Sequence, residues 1–352
     1  MSLHSQGKSG EDITYFEEYS PMSIIIGIDV SKANLDCAYL RDPDQKRAKR
    51  LSCKNEVSSF ASLVSWAETK SDLSVKSLAF VIEPTHVYHE PLVQFLHNSG
   101  ATVYLVNPGR VRKFAEGIGI LSKNDMVDAD LLTRYGLLAR QLTAYAPVAQ
   151  EVNDLRSLLN RLDVLERNLR SELNRQEKVG KTMVFHRLEQ QSIARAVKRF
   201  KAEIITFKRA IRECIKSTPS LQQPFDLLCT IPGVGAKTAW IMIVVLASRP
   251  FMSAPEVASF LGLNPIEKRS GNSQYRRPRL SKSGSGHYRQ KLYFPAMVAT
   301  RKNPDIKALY ERLLAADKTK MCALGAAMRK LVHICYGVMK NQTPYQAQYM
   351  PS

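Results

Sequence analysis

The sequence predicts an α/β unit followed by a largely helical remainder. Short apolar runs bounded by turn residues fill the first third. Two long stretches with apolar residues three and four apart fill the middle. The last third alternates apolar helical segments with a long basic loop.

The elements follow in order. Residues 1–20 are polar and acidic without periodicity and read as a flexible tail. Ile24–Ile28 is a short apolar strand ending in Asp29, and Asp29–Asn34 reads as a polar turn. Leu35–Leu40 and Arg47–Cys53 read as a second and third strand. Val57–Glu68 reads as a helix, Leu78–Ile82 as a strand followed by Glu83, His89–Ser99 as a helix and Thr102–Val106 as a strand. Arg110–Ile118 and Asp125–Leu138 read as helices. Three consecutive strands followed by alternating helices and strands imply an α/β sheet of mixed direction, of the RNase H-like kind.

In the middle, Leu155, Leu158, Leu162, Leu165 and Leu169 form one heptad-like series, and Ile193, Val197, Phe200, Ile204, Phe207 and Ile211 another. A loop around Gly180 separates them, so an antiparallel hairpin, an intramolecular bundle or a dimerising coiled coil accounts for both. From Pro219 the chain reads as helix–turn–helix over Leu227–Leu246, a polar loop over Glu267–Gly286, and at least two further helices, the last over Ala323–Met339.

Charge narrows the partners. Lys plus Arg number 51 and Asp plus Glu 32 in 352 residues, a net charge of +19. The surplus favours a polyanion, because phosphate contacts release counterions. An anionic membrane surface is the rival, but no apolar run reaches the roughly 18 residues of a spanning helix and no signal peptide opens the chain. The cysteines Cys37, Cys53, Cys214, Cys229, Cys322 and Cys335 form no close pair, and the histidines lack ligand spacing. This argues against zinc and fits buried thiols in a reducing cytoplasm. Any metal is expected to be hard and oxygen-bound.

Four carboxylates meet that requirement. Asp29 and Glu83 follow strands that lie side by side in such a sheet, and Asp125 and Asp128 open a helix on one face. Clustered carboxylates repel one another unless a divalent cation such as Mg²⁺ or Mn²⁺ neutralises them. The plainer readings are a turn residue for Asp29 and an acidic helix start for Asp125 and Asp128. Lys123, just before them, is either a phosphate contact or solvated.

Two further segments suit nucleic acid. Ile231-Pro232-Gly233-Val234-Gly235 resembles a helix-hairpin-helix turn, with Gly233, Gly235 and Lys237 as phosphate contacts. A tight turn without a ligand is the alternative. Downstream, Lys268, Arg269, Arg276, Arg277, Arg279, Lys282 and Arg289 lie in a stretch without an acidic residue from Lys268 to Lys302. A solvated loop is the default for a charge run, but the interleaved glycines and tyrosines suit a loop that follows a nucleic-acid backbone. A serine there, such as Ser270, sees charges that favour an alkoxide.

Gly27-Ile28-Asp29-Val30-Ser31-Lys32, Ile82-Glu83, Lys123-Asn124-Asp125-Met126-Val127-Asp128-Ala129, Ile231-Pro232-Gly233-Val234-Gly235 and Ser270-Gly271 stand in one order. So do Tyr293–Thr300 and Gly325–Leu331. This set resembles the DEDD-type insertion-sequence transposases guided by a bridge RNA, over nearly the whole chain. The resemblance implies a RuvC-like domain over 21–147, a coiled-coil or helical hairpin over 148–217 and a mainly α transposase domain over 218–352. It implies Mg²⁺ (or Mn²⁺) on Asp29, Glu83, Asp125 and Asp128, and Ser270 as nucleophile. It further implies donor and target DNA, a structured guide RNA, a homo-oligomer (dimer or tetramer) that brings the acidic site and the serine together from different subunits, and a bacterial, nucleoid-associated cytoplasmic location. One departure is visible: Pro84-Thr85-His86 follows Glu83 where the family usually has a small residue, Thr and Gly.

The expected reaction is strand exchange through a phosphoserine. A hydrolytic RuvC-type structure-specific nuclease is the alternative, with Ser270 reduced to a phosphate contact. A non-catalytic nucleic-acid-binding protein is the third reading, but it gives no reason to gather four carboxylates in a chain of charge +19.

Overall fold

The computed structural model describes residues 24–120, 125–139, 142–270 and 274–348; the side chains of 125–127 and 267–278 lie outside that description. The tail 1–20 and Lys123 therefore fall outside it. The chain divides into two compact units, residues 1–145 and 146–352.

The first unit is built on a five-stranded sheet. Its strands are β1 (Ile24–Val30), β2 (Asn34–Tyr39), β3 (Lys49–Lys54), β4 (Leu78–Ile82) and β5 (Thr102–Leu105), in the order β3-β2-β1-β4-β5. β1, β2 and β3 form an antiparallel meander, whereas β1–β4 and β4–β5 are parallel. β4 is buried along its whole length, as a central strand covered on both faces must be. Helices α1 (Val57–Ser71) and α2 (Glu90–Asn98) serve one face, whose core holds Ile26, Ile28, Phe60, Phe80 and Ile82. Helices α3 (Pro108–Gly117) and α4 (Asp125–Leu138) serve the other, with Ile25, Ala79, Val81, Val111 and Leu132.

β1 runs further than its apolar run suggests. Asp29 and Val30 still pair with Asp36 and Leu35 of β2, so the turn shrinks to the residues around Ser31. The meander, not hydrophobicity, carries the strand through Asp29.

The second unit starts with α5 (Gln150–Val179) and α6 (Arg187–Ser217). The two apolar series face each other within one chain: Leu155, Leu162 and Leu165 share a core with Phe200, Ile204 and Ile211, and Val179 meets Ile193 and Val197 nearer the turn. The two helices pack on each other as an antiparallel hairpin within the chain. Its base merges with the core of α7 (Pro219–Cys229), α8 (Ala236–Ala247), α9 (Ala254–Phe260), α10 (Gly286–Lys291), α11 (Tyr293–Lys302), α12 (Pro304–Ala315) and α13 (Lys320–Asn341).

The polar loop expected over Glu267–Gly286 is instead in large part a two-stranded antiparallel ribbon, β6 (Pro265–Ser270) and β7 (Gln274–Leu280). Its register slips between Ile266 and Lys268, opposite the stretch that holds Pro278, a residue with no N–H to give the ladder. Among the described residues, no helix is long and apolar enough to cross a membrane.

Candidate active site

In the parallel pair β1–β4, Ile28 stands opposite Ile82, so Asp29 and Glu83 are the next residues along both chains. Strand alternation assigns their face. Ile26 and Ile28, with Phe80 and Ile82, face α1 and α2, so Gly27, Asp29 and Val81 belong to the opposite side, under α4, and Glu83 directly follows the end of β4.

α4 comes very close to that side. A Cβ on Gly27 would lie 2.3 Å from the Ala129 carbonyl oxygen and 2.5 Å from the Thr133 nitrogen. One on Gly136 would meet Ile25 and Val81 at 2.6 and 2.7 Å. Gly136 thus sits over Ile25, and Ala129 and Thr133 over Gly27. Continuing this descent, the N-terminal turn with Asp125 and Asp128 reaches the level of Asp29 (one helical turn and two strand residues advance similar distances). Asp29 and Glu83 directly follow the last pair of β1 and β4, and the first turn of α4 lies toward the same end of the sheet. Asp125 begins α4 at that end, and its side chain is outside the described residues.

Several contacts fix the helix. The Gly27 N–H donates to Thr133 Oγ1 at 3.0 Å, and that hydroxyl lies 2.9 Å from the Ala38 carbonyl. Arg50 of β3 forks onto Asp130 at 3.1 and 2.6 Å, a pairing that raises the guanidinium's pKa. Arg134 donates to the Pro43 and Gln45 carbonyls. On the loop side, Asn55 Nδ2 donates to the Ser31 carbonyl at 2.9 Å and to the Tyr88 carbonyl at 3.0 Å, joining the chain after Asp29 to the chain after Glu83.

Two contributors escaped the sequence reading. Asp36 pairs with Asp29 across the hairpin and so shares its face; the signal was the alternation of buried Leu35 and Cys37 around it. Asn55, a single polar residue after β3, carried no signal. In the departing loop His86 has a left-handed backbone, φ 47°. His89 Nδ1 is buried without a hydrogen-bond partner, and burial lowers that histidine's pKa.

The donors at this edge are all carboxylate oxygens, which fit a hard divalent cation better than zinc or copper. Among the described residues, no group of three or more His, Cys, Asp or Glu forms a metal-holding set.

In the second unit the glycine turn is packed tightly. Gly233 has φ +102°, and a Cβ there would meet Ala299 Cβ of α11 at 2.7 Å. Gly235 caps α8, and its missing Cβ faces open space. Lys237, expected at phosphate, pairs with Glu166 and lies 3.8 Å from Asp163.

Asp163 is the centre of a cluster that the sequence did not reveal. This carboxylate is only 7% exposed. Lys291 Nζ lies 2.5 Å from it and His287 Nε2 3.0 Å. The cluster ties α5 to α8 and to α10. Asp163 and Lys291 are 128 positions apart in sequence, which is why local pattern missed the cluster.

Ser270 ends β6 and pairs in register with Gln274. Lys268, Arg269 and Arg276 lie in the same ribbon, with Arg277 and Arg279 on β7; of these, Arg279 is described and exposed. Lys282 is exposed with φ 54°. Arg289 is half-buried and donates to the Leu261 carbonyl at 3.0 Å, which gives it a structural task.

A mixed five-stranded sheet with Asp29 in β1 and Glu83 directly after β4, in a chain of net charge +19, fits a protein that acts on nucleic acid. Comparison with known proteins then specifies the class. Residues 26–181 match the DEDD-type IS110 transposase family model, described as "Transposase". Residues 225–311 match the model "Transposase IS116/IS110/IS902 family". The chain is 28% identical to the pilin gene-inverting protein of Moraxella lacunata over 322 residues, 91% of this chain and 97% of that one. It is equally similar, 28% over 322 residues, to the pilin gene-inverting protein of Moraxella bovis. It is 25% identical over 146 residues to an uncharacterized 43.6 kDa protein of insertion element IS110 from Streptomyces coelicolor, 41% of this chain and 36% of that one. The chain belongs to the DEDD-type transposases of the IS110 family and is a DNA transposase or recombinase.

Proposed function

We propose that the chain is an RNA-guided DNA recombinase that exchanges strands through a phosphoserine. The observation that supports this reading is the parallel register of β1 and β4, in which Ile28 pairs with Ile82, the residues just before Asp29 and Glu83, together with the close approach of α4 to Gly27. Binding alone gives no use for carboxylates at that edge, because they repel DNA phosphates. They suit a protein that holds a divalent cation against a reacting phosphodiester.

In this reading the Ser270 hydroxyl attacks a DNA phosphorus. The serine Oγ–P bond forms, the P–O3′ bond breaks, and the serine proton ends on the departing 3′-hydroxyl. A 3′-hydroxyl from another strand then attacks the phosphoserine, forms a new P–O3′ bond and returns the serine oxygen its proton. Each step exchanges one phosphodiester for another, so no nucleotide cofactor is consumed. Asp29, Glu83, Asp125 and Asp128 would hold Mg²⁺ or Mn²⁺, which supplies charge neutralisation at the phosphate when bound. Asn55 and Thr133 position the two carboxylate-bearing chain ends and the helix above them. The basic ribbon holds nucleic acid through phosphate contacts, a structured RNA from the element supplies pairing to both DNAs, and the protein works as a homo-oligomer. The DNA-inverting function named for the Moraxella relatives fits a reaction that conserves phosphodiester bonds.

The test is recombination of a plasmid that carries the element with its flanks. Asp29→Asn, Glu83→Gln, Asp128→Asn and Ser270→Ala are each expected to abolish it while the protein remains folded. Loss in the carboxylate variants with activity kept in Ser270→Ala would favour the hydrolytic nuclease. Activity kept in all four would defeat the reading.

A further inference from the structure

α10 and α11 follow each other across Leu292 and have two different faces. On the inner face Leu292, Ala296 and Ala299 are buried, Ala299 lies under Gly233, and Lys291 is held by Asp163. On the outer face Gln290, Phe294, Val298 and Arg301 recur at spacings of four, four and three, with Met297 beside them, and all are exposed. Phe294 is 66% exposed and Val298 48%. The Tyr293 ring meets Phe294 edge-on at 5.3 Å between centroids, which limits how the exposed ring can turn. Contiguous exposed apolar surface rimmed by polar residues marks interaction sites.

Charge decides the partner. From Lys268 to Lys302 there are ten Lys and Arg and no Asp or Glu. Arg301 lies in the stripe and Lys302 next to it, both exposed. The described cations in and beside the stripe, Arg301 and Lys302, ask for an anionic partner. An unpaired nucleic-acid strand matches both features: its bases have apolar faces that stack on an aromatic ring, and its phosphates are anionic.

We infer that the outer face of α10–α11 is a binding platform for unpaired nucleotides, with Phe294 stacking on a base, Met297 and Val298 extending the apolar surface, and Arg301 taking a phosphate. The inference rests on the proposed nucleic-acid function and adds to it a site and a strand state. Behind it, Lys291 at the end of α10 is held by Asp163. The same chemistry serves DNA and RNA, and the experiment separates them.

The full chain is titrated with short oligonucleotides containing a purine analogue whose fluorescence is quenched by stacking: single-stranded DNA, single-stranded RNA, and the DNA as a duplex. The wild type is expected to quench one or both single strands and to affect the duplex little. Phe294→Ala is expected to weaken single-strand binding about tenfold and to abolish quenching. Phe294→Trp keeps both, and the melting temperature is unchanged because the ring is exposed. Val298→Ser provides a second, milder loss. If Phe294→Ala binds and quenches like the wild type while Arg279→Gln with Lys282→Gln loses binding, the platform is wrong and the nucleic-acid reading stands. If Phe294→Ala instead lowers the sedimenting mass with binding intact, the face is a protein contact and the inference falls. If the wild type binds no strand and no duplex, both readings fall.

Discussion

Gly27→Ala tests the seat of α4. The added Cβ would stand 2.3 Å from the Ala129 oxygen, 2.5 Å from the Thr133 nitrogen and 2.6 Å from Thr133 Oγ1. Two of these atoms are backbone, so no rotamer change relieves the contact. Reaching an ordinary separation requires α4 to retreat by roughly 1 Å. That movement stretches the 3.0 Å bond from the Gly27 N–H to Thr133, which is buried. Overpacking costs about 1–3 kcal/mol, and a buried hydrogen bond left unmade about 1–3 more. A loss of about 3 kcal/mol, and a fall on the order of 10 °C in the melting of the first unit, is expected. The assay is thermal and urea unfolding of the full chain. Gly337→Ala in α13 is the control: a Cβ there meets nothing within 4 Å, so stability is expected to hold or rise slightly. Recombination by any folded Gly27→Ala protein should fall about a hundredfold, since a displacement of this size spoils catalytic geometry. A Gly27→Ala protein as stable as the wild type would refute the packing of α4 on β1.

Other predictions follow from the same contacts. Gly233→Ala is expected to destabilise the second unit, through its positive φ and Ala299, whereas Gly235→Ala keeps stability and weakens DNA binding if that turn contacts phosphate; unfolding and binding titrations separate the two. Asp163→Asn leaves Lys291 and His287 facing a neutral group and should cost about 3 kcal/mol, read by urea unfolding. His89 is lowered from its ordinary pKa by burial, and His333 by burial and the Arg329 and Lys330 charges. The unfolded histidines then bind protons at a pH where the folded ones do not, so stability should fall as pH drops below about 6.5; His333→Gln should reduce that slope.

The sequence was most informative where chemistry and local pattern coincide. Asp125–Leu138 is a helix over the expected span, and Asp29 lies on β1 while Glu83 directly follows its neighbour β4. Pattern misled where tertiary pairing overrides composition. The ribbon over Pro265–Leu280 is too basic and too polar to read as strands, and only cross-strand pairing makes it one. Lys237 shows the limit of reading charge as contact, because its partners, Glu166 and Asp163, come from a helix some seventy residues away. Asp163 itself looked like one more polar position on a heptad helix. The heptads pack on each other within one chain, with the turn between α5 and α6 closing the hairpin.

The central claim is the covalent serine intermediate, and trapping it is the most direct measurement. The protein is mixed with Mg²⁺, labelled donor and target DNA and RNA transcribed from the element's flank, then denatured, digested and examined by mass spectrometry. The account predicts a nucleotide-bearing phosphoserine at Ser270, absent in Ser270→Ala and in Asp29→Asn. DNA cut without any adduct, by wild type and Ser270→Ala alike, would contradict it.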